Sequence, residues 1–168
     1  MTNLDLKNSQ TELSFRDNAY ALLPTVVEAL YSHPVPTKSN SDIDAQLLHE
    51  LRIEAKRLRY LLEFFESCYG KRLERYLEAI RLLQEILGNI HDCDVMVEFL
   101  TAQYSKLDKR GGSDIVKQGL NQLIADFQRQ RTQLACEFLI FWQRRFRRGF
   151  KTQLLKLLRQ LPNTMPSV

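Results

Sequence analysis

Apolar residues fall at helical spacing along most of the chain. The segment TELSFRDNAYALLPTVVEALYS, residues 11–32, puts Leu22, Val26, Ala29 and Leu30 on one side of a helix. Pro24 either sits near the start of that helix, where its missing N–H costs little, or kinks a longer one. HPVPTKSNSD, residues 33–42, is rich in Pro, Ser and Asn and reads as a linker, ending in the N-cap candidates Ser41 and Asp42. A second helix is predicted from about Asp44 to Cys68, stopped by Gly70. A third follows from about Lys71 to Leu87, stopped by Gly88, with Leu73, Leu77, Ile80, Leu83 and Leu87 as its buried stripe. The fourth starts near Asp92 and runs to about Leu107, before KRGGSD breaks the chain and offers Ser113 or Asp114 as a new cap. From there to Leu161 the pattern is helical and free of proline, as one very long helix or as two broken near Gly149, with Pro162 ending it.

These elements predict an all-α antiparallel helical bundle with short connections and a long C-terminal helix. Residues 1–10 are polar and read as a flexible N-terminus, 11–161 as a single helical domain and 162–168 as a tail. The chain has 168 residues, enough to bury a core without disulfide or metal staples. Six Gly and five Pro are few for a sheet-and-turn architecture. Cys68, Cys93 and Cys136 are odd in number and have neither CxxC nor Cys/His zinc spacing, which points to a reducing compartment. With no signal-like N-terminus and no apolar run near the roughly 20 residues of a membrane span, a soluble cytoplasmic protein is expected.

Charge changes the picture more. The chain carries 24 basic and 20 acidic residues, a net +4, and Glu137 is the last carboxylate. Residues 1–137 therefore net −3, while seven Lys or Arg follow without an acidic partner. That asymmetry suits either an acidic ligand or the ordinary preference of cations for helix C-termini.

The sharper signal is LHELRIEAKRLRYLLEFF, Leu48 to Phe65. At 100° per residue, His49, Arg52, Lys56 and Arg59 share an arc of roughly 80°, a cationic ladder about 15 Å long. Leu47, Leu51, Ala55, Leu58, Leu61, Leu62 and Phe65 lie opposite, and Glu54 falls awkwardly near that apolar side. Only Glu63 offers an i,i+4 partner, to Arg59. Aligned cations repel unless something anionic lies across them, and guanidinium forks suit phosphate oxygens. A second set, Arg144, Arg147, Arg148 and Lys151, shares one face of the helix containing FWQRRFRRGFKTQ. The two sets form one positive groove if the bundle brings them together.

LHELRIEAKRLRYLLEFF followed by LQEILGNIHDCDV resembles the CHAD domain, the conserved histidine α-helical domain. The matching residues are His49, Arg52, the run Lys56 to Tyr60 with Glu63, then Leu83-Gln84, Leu87-Gly88 and Asp92, over roughly Asp44 to Leu100. The resemblance implies a helical bundle that binds inorganic polyphosphate on a basic surface and has no catalysis or cofactor of its own. Such domains are often found with polyphosphate granules or joined to a triphosphate tunnel domain. Carried over by position, His49, Arg52, Lys56 and Arg59 line the surface with Arg57 nearby, and Gly88 and Asp92 belong to a turn between helices. Arg144, Arg148 and Lys151 are added from the second basic set. Family members carry two similar half-bundles, and this chain has one such helix, so it resembles a single four-helix-bundle-like half. The implied completion is a homodimer with two His49 helices facing one another, and any enzyme partner is a separate chain.

Other readings compete. His91-Asp92, with His49 upstream, resembles the ligands of HD-type metal phosphohydrolases, in which a metal-activated water attacks a phosphoester. A di-metal carboxylate bundle needs Glu-x-x-His pairs, but Gln46 precedes His49 by three, so no metal site is assigned. Nucleic acid would also be drawn to a cationic groove, but the aromatics sit at core spacing and no base-reading module is present. A protein-interaction bundle, with the cations as a solvated face, is the remaining alternative. His33 reads as a surface residue.

Overall fold

The computed structural model describes residues 14–35, 43–147 and 149–160, and within them the chain is entirely helical apart from short connections. Six α-helices follow in order: α1 (Phe15–Ser32), α2 (Ala45–Phe64), α3 (Glu66–Tyr69), α4 (Lys71–Lys109), α5 (Asp114–Phe141) and α6 (Phe150–Leu158). A π-helical turn, Trp142–Phe146, follows directly on α5. The expected N-terminal and C-terminal tails, the Ser41/Asp42 caps, the Pro162 stop and Arg148 lie outside the described residues.

A capping box starts α1: the Ser14 hydroxyl accepts from the Asp17 N–H at 3.2 Å, and the Asp17 carboxylate accepts from the Ser14 N–H at 3.3 Å. Pro24 lies well inside this helix. The bond it cannot make would go to the carbonyl of Tyr20, whose residue is exposed, so water can take its place. The buried stripe is Ala19, Leu23, Val26, Val27 and Leu30, rotated from the predicted one, so Leu22 is exposed and Ala29 only half-buried. In α2, Asp44 caps the Gln46 N–H, and Leu48, Leu51, Ala55, Leu58 and Leu62 are buried, with Leu47 and Leu61 at the edge of the core.

The prediction of two helices meeting near Gly88 is corrected: α4 runs unbroken for 39 residues, about 58 Å at helical rise. Glycine costs a helix interior about 1 kcal/mol, too little to stop one whose apolar stripe continues on both sides. Leu83, Leu87, Ile90 and Cys93 carry that stripe past Gly88 without a change of phase. Gly88 and Asp92 are therefore helical rather than turn residues. The true stop is Gly111-Gly112. Gly111 takes φ +66°, and a Cβ on Gly112 would strike the Leu107 side chain at 2.2 Å. The long C-terminal element divides, as one of the two expectations had it. After the π turn, where the Arg147 N–H reaches the Trp142 carbonyl at 3.1 Å, Gly149 adopts φ +78° and the chain turns into α6.

α4 packs against both α2 and α5, and α1 is held between α2 and α6. One contiguous core results, including Phe138, Phe146, Leu58, Leu62 and Leu83. Two tyrosines lock the C-terminal part onto it: Tyr31 donates to the Phe146 carbonyl at 2.9 Å and Tyr69 to the Leu158 carbonyl at 3.1 Å. Beyond Leu100 on α4 and before Ala135 on α5 no residue is buried, so the α4–α5 hairpin extends past the core as an arm. Ion pairs between Asp94 and Arg131 (2.7 Å) and Asp108 and Lys117 (2.7 Å) fix its register.

Gly88→Ala tests the unbroken helix. The added Cβ meets nothing within 4 Å, so the variant should be more stable by about 0.5–1 kcal/mol in denaturant unfolding, and a loss of stability would contradict a helical Gly88. Burial pushes the Tyr69 hydroxyl up to about 12 and that of Tyr31 higher still. Their native-state preference for the neutral form is fully present below about pH 10, the unfolded value, and is lost as pH rises through the native one. Urea titrations from pH 9 to 12 should show falling stability, with a shallower fall in Tyr69→Phe than in wild type.

Candidate anion-binding surface

The four ladder residues share one face of α2, on the flank of its buried stripe rather than opposite it. His49 and Lys56 are exposed, and Arg52 and Arg59 are half-buried. Arg57 is exposed on the same helix but off the ladder. The expected Arg59–Glu63 pair is not made. Glu63 instead accepts from Arg81 of α4, at 3.0 Å from Nε and 2.9 Å from Nη2. Arg59 lies 4.6 Å from the centre of the Tyr60 ring, and Lys56 Nζ lies 5.9 Å from it. Thus none of His49, Arg52, Lys56 and Arg59 has a carboxylate within 4.0 Å among the described residues.

Two cross-links define what lies opposite. The Glu63–Arg81 pair holds one end, and the His49 and His91 rings, with centroids 5.7 Å apart, mark the other. Between these points α2 and α4 run antiparallel, so the stretch from Arg52 to Arg59 passes alongside Gln84 and Gly88. Arg81, Gln84, Gly88 and His91 share one face of α4 at the same spacing as the ladder on α2. The second sequence motif therefore supplies the opposite wall of a groove. Gly88 leaves that wall open, since a Cβ there would touch nothing within 4 Å. Arg59 Nε and Gln84 Oε1 are shielded atoms without a hydrogen-bond partner. Glu54, the misfit on the apolar side, likewise has one shielded oxygen without a partner.

At the histidine end a cavity of about 200 Å³ is lined by Gln46, His49, Ile90, His91 and Asp94. The Asp94 carboxylate is already bonded to Arg131 at 2.7 Å, and Asp92 is exposed. No three His, Cys, Asp or Glu side chains converge on a metal-sized space among the described residues. His33 is not a free surface residue: its Nδ1 lies 3.5 Å from Glu50.

The described C-terminal cations Arg144, Arg147 and Lys151 do not line this groove. Lys151 pairs with Glu28 at 2.6 Å and lies over the Tyr31 ring, beside a cavity that Arg147 also lines. Arg144 lines another cavity with Arg75 and Arg145. Sequence reasoning missed the cations of early α4, Lys71, Arg72, Arg75 and Arg81, which line a cleft of about 920 Å³ together with Lys156. For Lys71, Arg72 and Arg75 the signal was available in the three- and four-residue spacing within KRLER, but nothing in it indicated that α6 lies alongside.

A family model described as the CHAD domain matches residues 5–101, which takes in α1 as well as the two motif helices. No curated protein and no solved structure matches the chain.

Removing the carboxylate in Glu63→Gln releases Arg81 at the end of the ladder. Affinity for a long linear polyanion should rise severalfold at low salt and converge on wild type as salt increases. The Glu63–Arg81 pair is partly exposed, so stability should move by no more than about 1 kcal/mol. Titration of both proteins at two salt concentrations measures it.

Proposed function

The chain belongs to the CHAD domain family, and on that premise we propose that it binds inorganic polyphosphate, without turnover, in the groove between α2 and α4. The observation that carries this reading is the ladder itself: His49, Arg52, Lys56 and Arg59 aligned on one helix with no carboxylate paired to any of them among the described residues. Such an array is self-repelling when empty and is relieved by a linear anion that offers phosphate oxygens along its length. Arg57 stands beside the ladder and contributes to the field. Arg144 enters only through its own cavity, and the ion pair with Glu28 leaves Lys151 a minor role.

A groove with only one ladder is half of the two-sided surface typical of the family, so a second copy of the chain is its natural completion. Ile53 and Tyr60, 48% and 50% exposed on α2 beside the cations, support a face-to-face pairing of α2 helices. The fitting setting is cytoplasmic, at polyphosphate granules, beside an enzyme that uses the bound polymer. No described helix is long and apolar enough to cross a membrane.

The test is a competition titration at near-physiological salt: long-chain polyphosphate against single- and double-stranded nucleic acid at equal phosphate concentration. Wild type should prefer polyphosphate, and the Arg52→Ala/Lys56→Ala variant should lose most of that preference while keeping its helical spectrum. Equal binding to all three polymers, or an unchanged variant, contradicts the proposal and favours a nonspecific basic face. Light scattering tests the pairing separately: a species of twice 19.7 kDa is expected, and a strictly monomeric protein with bound polyphosphate contradicts it.

A further inference from the structure

Beyond the Glu63–Arg81 pair, early α4 and α6 flank an open cavity of about 920 Å³, within the volume range of small-molecule sites. Lys71, Arg72, Arg75 and Lys156 line it, and none of these four has a carboxylate within ion-pair distance among the described residues. Arg81, the fifth cation, is neutralised by Glu63. Glu74 and Glu78 also line the cavity and make no ion pair among the described residues, so the four cations without a carboxylate partner exceed the carboxylates by two. The adjoining cavity, which shares Arg75, Tyr76 and Gln153, adds Arg144 and Arg145.

Three features make this a built site rather than a scatter of surface charge. Lys71 and Arg72 stand in the first turn of α4, where the helix dipole disfavours cations, and Gly70 provides no side-chain cap to offset it. The guanidinium groups are aimed: Arg75 lies 4.6 Å over the Tyr76 ring and donates to its hydroxyl, and Arg72 Nη1 donates to Gln160 Oε1 at 3.3 Å. The walls are fixed, because Tyr76 is 2% exposed with Phe150 edge-on at 5.2 Å, and Tyr69 ties α3 to the end of α6.

We propose that the cavity between early α4 and α6 is a second anion site, distinct from the ladder, that takes a compact anion with two or more phosphoryl groups. The excess of free cations matches a short condensed phosphate. Tyr76 is buried and engaged with Phe150 and Arg75, so no exposed aromatic face in the lining can stack a nucleobase. Inorganic oligophosphate is therefore favoured over a nucleoside polyphosphate.

Calorimetric titration of the full chain with tripolyphosphate and with ATP, at equal ionic strength, tests this. Tripolyphosphate should bind more tightly than ATP. Arg72→Ala/Lys156→Ala should weaken tripolyphosphate tenfold or more, and Arg52→Ala/Lys56→Ala less than twofold. Both cavity positions are exposed, so the variant should fold, which its circular dichroism checks. Wild-type-like tripolyphosphate binding by the cavity variant, or an equal loss in the ladder variant, overturns the second site. Tighter binding of ATP overturns the inorganic assignment. Long-chain polyphosphate binding by the ladder variant is read separately, so either site can fail alone.

Discussion

The apolar stripe that runs down α4 from Leu73 to Leu100 sets the position of nearly everything else. Because it never changes phase, α4 is a single spine, and α2 and α5 each have to pack along it. Leu51, Leu58 and Leu62 seat α2 on that spine with its cations along the flank beside α4. Ala135, Phe138 and Leu139 seat the end of α5, from which the π turn and Gly149 return the chain as α6 against α1. Both proposed anion sites lie along this helix, the ladder groove beside its middle and the α6 cavity at its start.

Much of this was legible in the sequence because helical periodicity is a local property. The α2 ladder, the glycine turn before α5 and the buried stripe of early α4 all follow from residues within a few turns of one another, whereas the helix predicted to run unbroken to Cys68 divides at Phe65, and Gly70 ends α3. Gly88 misled because glycine often marks a helix end, but its cost is small against continuous burial on both sides. Pro24 was ambiguous because its position inside α1 depends on the helix starting at Ser14, and the rotation of the α1 stripe was settled by packing against α2 and α6.

What the sequence could not supply is who meets whom between helices. Glu63 stands at ideal spacing for Arg59 yet bonds to Arg81, since α4 brings a better-placed guanidinium across the helix interface. That exchange leaves the whole ladder without an anionic partner among the described residues. It also gives the second motif a role spacing alone did not reveal: Gln84, Gly88 and His91 are the far wall of a groove rather than a turn. The same limitation hid the second cavity, whose cations are 75 or more positions away from Lys156 in sequence.

The central claim is that these unpaired cations are what a phosphate chain contacts. The most direct measurement is the salt dependence of long-chain polyphosphate affinity in wild type and in Arg52→Ala, Lys56→Ala and Arg59→Ala singly. Each contact released should lower the slope of log K against log salt by about one unit. Three variants with reduced slopes and native-like unfolding agree with the account. Slopes equal to that of wild type would mean that the anion binds elsewhere on the chain.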